Sequence, residues 1–140
     1  MEDIRIIEQQ FRNQQERFTY YLIGLSVAAI GFSINLTYGE PFELSQILLG
    51  LSLLSFGISI LHGFKYLNKL LEVLSHNITF LEEKTAGMEK NNEAYILSKI
   101  EEVRTKASVF RKNLSRFFFI GIGLFVIWHL LEMYLKTVNI

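Results

Sequence analysis

Three stretches of this chain carry no Asp, Glu, Lys or Arg: Thr19–Thr37, Leu44–Gly63 and Phe117–Leu131. A hydrocarbon core about 30 Å thick takes roughly 20 residues of helix at 1.5 Å rise per residue. The pattern predicts crossings at 19–37, 44–64 and 117–135, the last running on past Glu132. A soluble three-helix bundle would need a polar face on each of these helices, and none is present. Backbone facing lipid must satisfy its own hydrogen bonds. The expected fold class is therefore all-α: one integral membrane domain over 1–140 with three transmembrane helices. Residues 1–18 form the amphipathic start of the first helix, and 65–116 a helical hairpin outside the bilayer.

Orientation follows from the basic residues. Arg5, Arg12 and Arg17 precede the first span, and ten more lie between the second and third, from Lys65 to Arg116. The opposite side carries only Lys136. That bias places the N-terminus and the hairpin in the cytoplasm and the C-terminus outside, most naturally in a bacterial inner membrane. The acidic start, Met1-Glu2-Asp3, lacks a basic n-region, so the first span reads as a retained helix.

The helices are expected over about Asp3–Leu36, Pro41–Thr85 and Asn92–Lys136. Gly39 suits the left-handed position after the first helix, Gly87 the same position after the second, and Asn91 or Asn92 the cap of the third. Within them two rows keep a 3/4 spacing. One is Gly50, Leu53, Gly57, Ile60, Phe64, Leu67, Leu71, Leu74, Ile78 and Leu81. The other is Ile96, Ile100, Val103, Ala107, Phe110, Leu114, Phe117, Gly121, Leu124, Trp128 and Leu131. Such rows mark helices packed along their length, here as an antiparallel, coiled-coil-like pair turning near 87–89.

A second stripe on helix two, Ser52, Ser55, Ser59 and His62, lies about 200° around from the first row. Hydroxyls in hydrocarbon need partners and small residues permit close approach. Helix one offers Gly24, Ala28, Gly31 and Asn35 at matching depth. The stripe is thus read as the seat of helix one, or as a small polar face at a pore or subunit interface. If helices one and three hold opposite faces of helix two, the three form a flat row.

Other signals are weaker. Arg12, Arg17, Lys65, Lys69, Arg111, Lys112 and Arg116 make a collar suited to anionic lipid headgroups. Glu82, Glu83, Glu89, Glu93, Glu101 and Glu102 gather towards the hairpin tip. His129 and Glu132 share a face near the outer boundary and are expected to pair. His62 and His129 lie at different depths, which argues against a shared haem iron. The absence of cysteine removes disulfides and thiolate metal sites. No cofactor is expected, and no phosphate-binding loop, metalloprotease or nucleophile-elbow motif is present. No charged residue sits at mid-membrane, which argues against pumps and secondary transporters. Balanced charge, with 14 basic and 14 acidic residues, gives no nucleic-acid footprint.

The layout is similar, at the level of fold analogy, to small bacterial membrane effectors of phage defence and other small multi-span subunits. The expected function is a homo-oligomeric membrane protein that forms or gates a pore, a channel-like effector and not an enzyme. The alternative is a non-conducting accessory or scaffold subunit that docks a cytoplasmic protein partner through its stalk.

Overall fold

The structure, a computed structural model, describes residues 2–87 and 89–139. Those residues form three helices: α1 (Glu2–Thr37), α2 (Gln46–Thr85) and α3 (Lys90–Val138). Each is long and apolar enough to cross a membrane. Met1 and Met88, the latter in the expected hairpin turn, lie outside the described residues.

Helix ends follow local chemistry. Gly39 and Gly87 have φ of +83° and +89°, the left-handed geometry that lets a chain leave a helix without a Cβ clash. Helix α2 starts later than Pro41. Residues 43–48 first close a run of short-range bonds, including Gln46 N–H to Glu43 O at 3.0 Å and Leu48 N–H to Ser45 O at 3.1 Å. Helix α3 starts earlier than expected. Glu89, in extended geometry, is its N-cap, and the Glu93 N–H reaches the Glu89 carbonyl at 3.1 Å. Neither asparagine is needed there.

Helices α2 and α3 run antiparallel and share by far the largest interface. The face of α2 within it is not the one expected. Its buried residues are Leu49, Ser52, Ser55, Phe56, Ser59, Gly63, Tyr66 and Val73. Apart from Ser55, that row sits one residue earlier than the apolar row, a rotation of about 100° about the helix axis, and it takes in the serines expected on the far face. Phe64, Leu71, Leu74, Ile78 and Leu81 consequently lie on the surface, at 50–65% exposure. Gly50, Leu53, Gly57, Ile60 and Leu67 occupy half-buried flanks. On α3 the buried positions are Ile100, Val103, Ala107, Leu114, Phe118, Gly121 and Trp128. Ile96, Phe110, Phe117 and Leu124 are half-buried, and Leu131 is exposed.

The physical reason is the solvent. Lipid tails are as apolar as a protein interior, so an apolar row in a span need not face inward. On α2 it is the serines that turn towards the neighbouring helix.

Helix α1 buries Thr19, Leu22, Ser26 and Ser33. Leu22, Phe56, Leu114 and Phe118 form one cluster, joined by Ile23, Ala29 and Ile30. All three helices therefore meet, and the flat row is replaced by a triangle. Gly63 marks the meeting point, since a Cβ there would lie 2.7 Å from Ile23 Cδ1 and 3.2 Å from Leu114 Cδ1. A second, smaller cluster of Val73, Ile100 and Val103, flanked by Ile96, holds the hairpin beyond the apolar spans.

Gly121 is where Phe56 approaches α3 most closely. A Cβ at that position would fall 2.9 Å from two carbons of the Phe56 ring, which also packs edge-on against Phe118 at 5.9 Å. Gly121→Ala should therefore destabilise the α2–α3 pair by about 1–3 kcal/mol, the usual cost of overpacking. Gly123→Ala, with open space around it, should be neutral. Detergent unfolding of the two variants side by side checks the contrast.

Candidate functional site

Three hydroxyls of α2 donate directly to backbone carbonyls of α3. Ser52 Oγ reaches Gly121 O at 2.7 Å, Ser55 Oγ reaches Phe117 O at 2.6 Å, and Ser59 Oγ reaches Leu114 O at 2.8 Å. A helix carbonyl has a second lone pair after its own i+4 bond, so α3 keeps its ladder while accepting them. Ser52 and Ser59 are fully buried. The stripe expected to seat α1 thus seats α3. His62, the fourth member, is half-buried; its Nδ1 lies 2.9 Å from its own helix's Ile58 carbonyl, and its ring stacks on Phe117 at 5.5 Å.

The row expected on α1 points the other way. Gly24, Ala28, Gly31 and Asn35 are all exposed. The polar side chains that α1 does bury, Thr19, Ser26 and Ser33, were missed because its face was chosen to match the depth of the α2 serines. Their signal is spacing, since they recur every seven residues, as do Ser45, Ser52 and Ser59 on α2. Each bonds back within its own helix, to Gln15 O at 2.9 Å, Leu22 O at 2.8 Å and Ala29 O at 2.7 Å. None of these three hydroxyls reaches another helix, so within the span α1 is held by apolar packing.

Towards the end of the bundle that carries the α2–α3 turn, α1 and the hairpin enclose a cleft of about 520 Å³. Phe11, Leu67, Leu70, Leu71 and Leu74 supply its apolar wall, and Arg12, Arg104 and Arg111 its cations, with Glu8 and Glu16 beside them. Tyr66 stands at its floor, only 3% exposed. Its hydroxyl finds only Gln15 Oε1, at 3.5 Å. Burial raises the Tyr66 pKa, with nearby Arg111 lowering it and Glu16 raising it. Two members of the expected basic collar, Arg12 and Arg111, thus line a cleft.

The remaining collar residues disperse. Lys65 lies over the Phe110 ring at 5.7 Å, and Lys69 donates to Glu72 at 2.7 Å. That bond holds the Glu72 carboxyl below its ordinary value. Arg17, Lys112 and Arg116 are exposed. Further along the hairpin, Lys106 and Lys99 lie 3.2 and 3.8 Å from Glu102 and likewise lower its pKa.

At the opposite end Glu132 accepts a hydrogen bond from Ser45, which displaces the expected pairing with His129. His129 is exposed, its ring 6.3 Å from that of Trp128. The buried Trp128 Nε1 has no hydrogen-bond partner among the described residues.

Interhelical hydrogen bonds in membranes average about 0.6 kcal/mol each. Ser52→Ala, Ser55→Ala and Ser59→Ala combined should accordingly cost only about 2 kcal/mol, because alanine preserves the close approach. Ser59→Leu, which forces bulk against the Leu114 carbonyl, should cost more than the three alanines together. Unfolding free energies in mixed detergent decide between small size and hydrogen bonding as the dominant role.

Comparison of the chain with protein-family models, with curated proteins and with solved structures returns no match.

Proposed function

We propose that this chain is a non-conducting membrane scaffold whose helical stalk docks a protein partner at the cytoplasmic face of a bacterial inner membrane. The observation that carries the reading is the row Leu71, Leu74, Ile78 and Leu81. It lies beyond the apolar spans and is exposed by 50–65%. Ile4, Ile7 and Phe11 on α1 add a second outward row at 60–64% exposure. Lipid covers apolar side chains in the spans, but at this level water is the solvent. A contiguous apolar row in water is the mark of an interaction surface. Its 3/4 spacing suits an amphipathic helix laid alongside. Each side chain covered offers roughly 1.5–3 kcal/mol before the cost of ordering the complex.

A homo-oligomeric, pore-forming or pore-gating assembly is the second reading. It no longer draws on the serines of α2, whose hydroxyls are engaged inside one protomer. It draws instead on Gly24, Ala28, Gly31 and Asn35, a small-residue row left free on α1 and suited to close contact between copies.

A photo-crosslinking residue placed at Ile78 or Leu81 should give adducts with a different protein in cells, whereas the inward positions Val73 and Val103 should give none. Adducts with the chain itself alone, together with channel currents from the purified protein in planar bilayers, would shift the assignment to the pore.

A further inference from the structure

We infer that the cleft between α1 and the α2–α3 hairpin binds a phosphodiester, gripped by Arg12, Arg111 and the Tyr66 hydroxyl, with its apolar portion against Phe11, Leu67 and Leu71. The argument begins with an imbalance of donors. Tyr66 is almost wholly buried, yet its O–H reaches an acceptor only at 3.5 Å. An O–H···O bond is ordinarily about 2.5–3.0 Å long, and buried hydroxyls are normally satisfied. Among the described residues no carboxylate is paired with Arg12 or Arg111, while Arg104 leans towards Glu101 at 3.6 Å. Donors from all three helices therefore line one space, Tyr66 held only by a long bond and Arg12 and Arg111 without a carboxylate partner among the described residues.

Charge sets the class of acceptor. Arg104 is drawn to Glu101, which leaves Arg12 and Arg111 as the lining cations without a carboxylate partner among the described residues, with Glu8 and Glu16 in the same lining. Carboxylates so near disfavour a second negative charge on the ligand, which suits a singly charged phosphodiester better than a doubly charged phosphate monoester. Guanidinium groups bind phosphate oxygens in pairs, which suits the arginines to this role.

Position sets the source. Tyr20 and Tyr66 adjoin the ends of the apolar stretches that begin at Thr19 and end at Gly63. Arg12 and Arg111 stand six or seven residues beyond their spans, about 10 Å along the helices. This is headgroup depth for side chains that reach back towards the bilayer. An anionic phospholipid is accordingly the source to which the geometry points, and a soluble phosphodiester shares its chemistry.

Native mass spectrometry of the full-length protein in detergent tests this, with dioleoyl phosphatidylglycerol, the zwitterionic phosphatidylcholine and soluble glycerophosphoglycerol as probes. Arg12→Gln with Arg111→Gln should weaken phosphatidylglycerol binding about tenfold or more, and Tyr66→Phe roughly threefold. Lys112→Gln with Arg116→Gln removes the same charge outside the cleft and should change binding by less than about twofold. Binding of glycerophosphoglycerol with the same sensitivity would show that the net anionic headgroup alone is read. Binding of the lipid alone would show that the apolar wall is needed too. Equal losses in both double variants, or no preference over phosphatidylcholine, would overturn the site.

Discussion

The close approach of α2 to α3 along Ser52, Ser55 and Ser59 is the contact on which the rest of the structure depends. Between helices in lipid there is no hydrophobic drive, because leaving the lipid gains nothing for a leucine. What remains is dispersion at short range and the satisfaction of polar groups. Serine serves both ends, being small enough to let the α3 backbone come near and carrying a donor for the carbonyl thus exposed. The bonds of 2.6–2.8 Å to Phe117, Gly121 and Leu114 record that proximity. Gly121 admits the Phe56 ring beside them, and Gly63 admits Ile23 from α1. The polar ladder and the aromatic plug are two halves of one interface.

That contact also governs the stalk. Helix α2 is unbroken from Gln46 to Thr85, so a face fixed at Ser52–Ser59 is carried forward at 100° per residue. Tyr66, Leu70 and Val73 inherit the inward position, while Leu71, Leu74, Ile78 and Leu81 are left outside. In a soluble coiled coil the leucines would choose the face and the serines would follow. Here the order is reversed, and an apolar row is left exposed as the consequence of a buried polar row.

The same reversal explains what the sequence makes legible. Three long helices follow from length and from the missing charges, and the turns from glycines at 39 and 87, both of which take positive φ. The inward face of α3 was readable because its apolar and small residues coincide at Ala107, Leu114 and Gly121. The face of α2 turned to α3 was misread, since Leu53 and Ile60 satisfy an apolar template that Ser52 and Ser59 do not, and the serine row was assigned to α1 instead. Hydroxyls recurring at seven-residue intervals would have identified the buried side of α1 as well. Their acceptors would still have been hidden, because a serine in a helix can donate across an interface or back to its own i−4 carbonyl. Ser59 does the first and Ser26 the second. The cleft was beyond reach of the sequence altogether, since its lining comes from three helices whose relative placement no single row of residues dictates.

The cleft lies beside the more weakly attached part of α1. The buried hydroxyls of α1 are spent on its own backbone, so within the span Leu22, Ile23 and Ile30 hold it by packing. Beyond the apolar spans Ile4, Ile7 and Phe11 turn to the surface, and the long Tyr66–Gln15 bond joins α1 to the hairpin. A phosphodiester held between Arg12 on α1 and Arg111 on α3 would tie the loosest helix to the most firmly built pair. Leu71 and Leu74 form both the rim of that cleft and the start of the row proposed to dock a partner. A ligand that sets the position of α1 therefore sets how much of the row is open. Any such coupling must be reciprocal, the partner changing headgroup affinity by the same factor as the headgroup changes partner affinity. On these two proposals, the weak attachment of α1 is what would let the composition of the membrane be felt along the stalk.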